Sequence, residues 1–177
     1  MRSLLVAGFL LALGACGQTA APTSSTQTQE HPLLMGAFRA SSNTARGITG
    51  DLSIERGGLM FESGVVLYTR PLQPRRAGDL IAQGGDSYAA AALGPGDLIV
   101  ELRRVTEQIV PEGKVGLCGA SAPQYVALAY EPRATGVKLL VFSGVEPPGP
   151  DATQSHLCAT FGYAAPDGAR TREGVVL

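Results

Sequence analysis

Hydrophobic positions recur with a period of two along much of this chain. Ile48, Gly50, Leu52 and Ile54 alternate with Thr49, Asp51, Ser53 and Glu55. Successive residues of a strand face opposite sides, so this spacing predicts a strand with one apolar and one polar face. Arg56-Gly57-Gly58 predicts a hairpin turn, because paired glycines accept positive φ. Residues 59–62 continue as strand, Gly64 marks a bulge or a second turn, and residues 65–68 return to strand. In residues 97–105, Leu98, Val100 and Leu102 take one face while Glu101 and Arg103 take the other, which reads as solvated. Residues 125–130 and 137–142 are strand-like runs joined by 131–136, and residues 157–163 form a last strand.

The breaks between these runs are equally readable. Pro71 and Pro74, with Arg75-Arg76, mark a loop, and Pro147-Pro148-Gly149-Pro150 marks another, because proline brings no N–H to a ladder. Tyr88-Ala89-Ala90-Ala91-Ala92-Leu93 is ambiguous. Alanine favours helix, but Gly84-Gly85 and Gly94-Pro95-Gly96 leave little room for one, and the stretch is read as strand. The pattern as a whole predicts an all-β fold, a small antiparallel barrel or sandwich of about eight to ten short strands. No alternation of strands with long helices supports a parallel sheet.

Composition agrees with short strands and many turns: the chain has 23 Gly and 12 Pro in 177 residues and only 16% charged residues. A net charge of −1 offers no electrostatic case for nucleic acid.

The N-terminus has a different character. Arg2 precedes an apolar run at residues 4–13, a length suited to a secretory signal and too short to span a bilayer. Leu13-Gly14-Ala15-Cys16 closes the run and resembles the lipobox of bacterial lipoproteins. The resemblance implies cleavage before Cys16, acylation of Cys16 and residence on a membrane outside the cytoplasm. Gly17, where aspartate is absent, implies the outer membrane, facing the periplasm. An ordinary cleaved signal with an incidental cysteine is the rival reading. The expected layout is a signal at 1–15, a lipidated cysteine and disordered tether at 16–30, a single β-domain at 31–165 and an exposed tail at 166–177. The tether has nothing to bury, and a random coil of its length reaches roughly 20 Å.

With Cys16 assigned to lipid, Cys118 and Cys158 remain as an even pair in an oxidising compartment. A disulfide between them is expected, with two buried free thiols as the alternative. Size, anchor and disulfide together resemble small lipoprotein barrels such as the membrane-bound lysozyme-inhibitor family. No binding motif matches residue by residue, so no site residue carries over.

No stretch names a reaction. His31 and His156 form no His-x-x-x-His pair, no Cys-x-x-Cys occurs, and neither a metal nor another cofactor is expected. Gly119-Ala120-Ser121-Ala122-Pro123 approaches a nucleophile elbow but ends on proline. Gly85-Asp86-Ser87-Tyr88 reads as a loop turn. Asp51, Glu55, Asp86 and Glu101 are candidate carboxylates, with a solvated face as the plainer reading. Arg70, Arg75, Arg76, Arg103 and Arg104 are a candidate basic docking patch for an acidic partner or lipid phosphates.

Three functions compete on these terms. A binding or inhibitor module, not an enzyme, is the leading one. It would meet an envelope protein through a docking loop at residues 84–88 or 147–150. A carrier of a small apolar ligand would line a barrel mouth with Phe61, Tyr68, Phe142 or Phe161. A hydrolase would set Ser87 or Ser121 beside His156.

Overall fold

The computed structural model describes residues 33–166. The expected signal, lipidated Cys16, tether and tail residues 167–177 lie outside the described residues.

The described residues form nine strands: β1 (Gly36–Ala40), β2 (Leu52–Glu55), β3 (Gly58–Phe61), β4 (Val66–Pro71), β5 (Arg75–Arg76), β6 (Ile99–Ile109), β7 (Tyr125–Tyr130), β8 (Gly136–Ser143) and β9 (His156–Ala164). All pairings are antiparallel, in the order β4-β3-β2-β1-β9-β8-β7-β6-β5. Strand β4 also pairs with β6, with Val66 opposite Ile109 and Pro71 opposite Arg103. That pairing closes eight strands into a barrel and leaves β5 as an extra strand on β6. The fold is therefore the barrel, not the sandwich. Closure leaves the eight strands no free edge.

The interior follows from the period-two pattern. Phe38, Leu52, Ile54, Leu59, Leu67, Leu128, Leu139 and Phe161 are all at most 1% exposed and belong to one core. Eight strands enclose a space just wide enough for side chains to fill. Tyr163 also points inward, and its hydroxyl lies 2.8 Å from Thr49 Oγ1. Burial pushes the Tyr163 phenol well above the ordinary tyrosine range.

A second core lies outside the barrel. The outer faces of β6, β7 and β8 bury Val100, Leu102, Ala127, Leu140 and Phe142 against Ala77, Ile81, Tyr88 and Ala92. Strand β7 is consequently buried on both faces along its whole length. The cover includes a short helix, α1 (Tyr88–Ala92). The reading of this stretch as strand is corrected here. Ser87 caps α1 by accepting the Ala90 N–H at 3.2 Å, and the i, i+4 pair Tyr88 and Ala92 faces the barrel. Alanine propensity and one good cap outweigh the flanking glycines. Tyr88 meets Phe142 edge to face at 6.4 Å, an arrangement worth about 0.5–1.5 kcal/mol beyond area burial.

Two smaller expectations are also corrected. Ile48 and Gly50 are not in a strand. Residues Ala45–Thr49 form one π-helical turn, which leaves Ile48 exposed, and β2 begins at Leu52. The loop expected at Pro71–Arg76 instead extends β4 through Pro71, at a strand end where the missing N–H does little harm. Arg75-Arg76 then forms β5.

Candidate functional site

The largest departure from the expected pattern is on β6. Glu101 and Arg103 do not face solvent. They point into the barrel, where Arg103 is 0% and Glu101 5% exposed. The opposite face of β6 is buried too at Val100 and Leu102, beneath α1 and its loops. Alternation located the strand correctly but could not say that its first half is covered on both faces.

The two charges form a connected network. Arg103 Nη2 donates to Glu101 Oε2 at 3.0 Å and to the Leu34 carbonyl at 3.1 Å. Arg103 Nη1 donates to the Glu55 carbonyl at 3.1 Å. Glu101 Oε1 accepts the Leu34 N–H at 2.7 Å and the Tyr130 hydroxyl. Burial of an ion pair is costly, and it is tolerated only where further hydrogen bonds satisfy the remaining atoms. Here they do so for both carboxylate oxygens and both terminal nitrogens.

The carboxylates named from the sequence do not converge. Asp51 Oδ1 accepts the Ala40 N–H at 2.9 Å on the exposed surface. Glu55 is exposed and enters the network only through its backbone, and Asp86 sits in an exposed loop.

The arginines separate as well. Arg103 leaves the patch for the interior. Arg76 pairs with Asp79 at 3.3 Å on the surface. Arg75 lies against Tyr88, whose phenol is pushed up to about 12 by burial despite the nearby guanidinium. Only Arg70 and Arg104 remain together. They stand directly opposite each other on the outer faces of β4 and β6, both exposed, and neither has an ion-pair partner among the described residues.

The outer face around this pair carries apolar side chains. Tyr68, 46% exposed, is two residues along β4 from Arg70 and opposite Glu107. Beyond it lies a cross-strand row of Met60, Val66 and Ile109, with Met60 38% and Ile109 44% exposed. Burial alternates along β4, but the sequence does not show it, because Val65-Val66-Leu67-Tyr68 is a continuous apolar run. The partner strand for β4 was not readable, and without it the row is invisible.

The expected docking loops are used differently. Tyr88 is buried and donates to the Pro148 carbonyl at 3.0 Å, and Gly149 N–H donates to the Ile81 carbonyl at 3.1 Å. The two loops bind each other and cover the second core. Gly144 makes the turn into the second loop at φ +101°, where an added Cβ would fall 1.7 Å from the Gln154 carbonyl oxygen. Glu146 Oε2 then accepts the Thr153 and Gln154 N–H groups at 2.8 and 3.0 Å.

The residues named for a ligand mouth do not meet. Phe61 and Phe161 point inward, Phe142 lies outside under α1, and Tyr68 is on the outer surface. Ser87 Oγ is committed to its cap, and His156 forms no hydrogen bond with Ser87 or Ser121 among the described residues. Cys118 and Cys158 are joined as a disulfide, Cα–Cα 5.3 Å, tying the loop after β6 to β9.

Comparison of the chain with protein-family models, with curated proteins and with solved structures finds no match.

Proposed function

We propose that this chain is an envelope lipoprotein, acylated at Cys16 and held on the outer membrane facing the periplasm, whose barrel binds another envelope protein. The docking face is the outer surface of β3, β4 and β6. The observation that carries this reading is the opposed pair Arg70 and Arg104 beside exposed Tyr68. Like charges placed directly across a ladder disfavour folding. An acidic partner relieves that repulsion, and Tyr68, Met60 and Ile109 supply the apolar centre of the contact. Arginine and tyrosine are the residue types that most often dominate such contacts. Glu107, opposite Tyr68, adds one negative charge that orients the partner. The partner we infer has an apolar centre with carboxylates at its rim.

The test uses the Cys16→Ser chain with a photo-reactive side chain at position 68, and a control at exposed Arg133, incubated with envelope extract. The reading expects one discrete adduct from position 68 and none from 133. That adduct is lost when Arg70 and Arg104 are both changed to glutamate. Equal labelling from both positions, or none from 68, contradicts it. Mass spectrometry of the mature protein tests acylation of Cys16 separately.

A further inference from the structure

The buried charges inside the barrel meet the backbone of one residue twice. Both polar backbone groups that the network takes from Leu34 belong to that one residue. Its N–H goes to Glu101 and its carbonyl to Arg103. Its side chain is 0% exposed within the barrel core. Leu34 is not part of a strand, since β1 begins only at Gly36. Residues 33–35 are therefore a strap held by side chains rather than by a ladder. Gly36, at φ +123°, forms the bend between strap and strand, a conformation that glycine alone adopts readily.

We propose that Glu101 and Arg103 form a recognition site for one apolar residue of an extended peptide, filled in cis by Leu34. A carboxylate accepting a residue's N–H and a guanidinium donating to its carbonyl read backbone without regard to sequence. The apolar space beside them selects the side chain. Well-packed apolar side chains often fill an interior as well as a buried ion pair, so what these two charges add is a partner for each polar backbone group of Leu34. Arg103 Nε is buried and has no acceptor among the described residues.

The experiment weakens the strap and supplies it in trans. The Leu34→Gly chain is titrated with a peptide of the sequence of residues 31–37, capped at both ends. A second peptide is N-methylated at the leucine corresponding to Leu34, and a third carries glycine there. The proposal expects saturable binding of the first peptide to Leu34→Gly. The other two bind weaker by roughly tenfold or more, the effect of losing a hydrogen bond to a charged group or a buried side chain. The unaltered chain, its site already filled, binds the first peptide at least as weakly. If Leu34→Gly is unfolded and the first peptide restores its fold, the proposal stands. If that peptide neither binds nor restores the fold, or if the N-methylated peptide binds equally well, the strap is ordinary core and the proposal falls.

Discussion

Arg70 and Arg104 face each other across β4 and β6 with no acidic neighbour in ion-pair contact among the described residues. A ladder position of this kind costs stability unless something outside the chain uses it. Arg104→Glu turns the repulsion into a cross-strand attraction. It is expected to stabilise the barrel by about 0.5 kcal/mol, the scale of an exposed ladder pair. The same change is expected to abolish adduct formation from position 68. Denaturant melts and the crosslinking assay on one variant read both effects. A variant that is less stable and still crosslinks contradicts the docking face.

Glu101→Gln keeps the shape of the side chain and removes its charge. Arg103 is then a buried cation without its counter-charge, and loss of about 3–5 kcal/mol is expected. Changing Glu101 and Arg103 together to Leu and Met does not restore full stability. The Leu34 N–H and carbonyl lose their partners, at about 1–3 kcal/mol for each buried group. Urea unfolding of the three chains checks the order: wild type, then either variant well below it.

How far these elements were readable depends on what lay across from them. The hairpin at Arg56-Gly57-Gly58 and the alternation at Leu52–Glu55 were readable because turn and period are local. The burial of Glu101 and Arg103 was not, because a charged face opposite Val100 and Leu102 looks the same whether it meets water or a barrel interior. One clue was present. Tyr125–Tyr130 is a continuous apolar run, the mark of a strand covered on both sides. Its neighbour β6 shares that cover. Helix α1 was missed because Gly84-Gly85 and Gly94-Pro95-Gly96 are local turn signals, whereas the cap from Ser87 to the Ala90 N–H shows only in the fold. The Arg70–Arg104 opposition required knowing that β4 pairs with β6, strands separated along the chain by β5 and α1, and no spacing in the chain encodes that pairing.

Glu146 makes the loop of residues 144–155 sensitive to acid. The Gln154 and Thr153 N–H groups hold its carboxyl below the ordinary value of 4.5. A lowered folded-state value means the contribution to stability is present above about pH 4.5 and is lost as pH falls through the folded value. The Thr153 and Gln154 amides are therefore expected to exchange faster in acid, after correction for intrinsic rates. Glu146→Gln is expected to flatten that dependence. An unchanged pH profile in the variant contradicts the assignment.

The Cys118–Cys158 bond closes a loop with a sequence separation of 40. Chain entropy assigns such a loop about 4 kcal/mol. Changing both cysteines to serine is expected to lower the unfolding free energy by up to about that amount. Added reductant is expected to shift the wild-type melt and to leave the double variant unmoved. A wild-type melt insensitive to reductant contradicts a stabilising bond.

The buried network of Glu101 and Arg103 is the centre of this account, and the Leu34 amide reports on it most directly. Its N–H is donated to Glu101 inside a closed barrel, 2.7 Å from the carboxylate oxygen, although no strand pairs with it. Hydrogen exchange resolved at Leu34 is expected to show protection comparable to the core strands in the wild type. In Glu101→Gln that protection is expected to fall by more than it does at the core amides of β7. Exchange of the Leu34 amide at the rate of an unstructured peptide in the wild type would contradict the account.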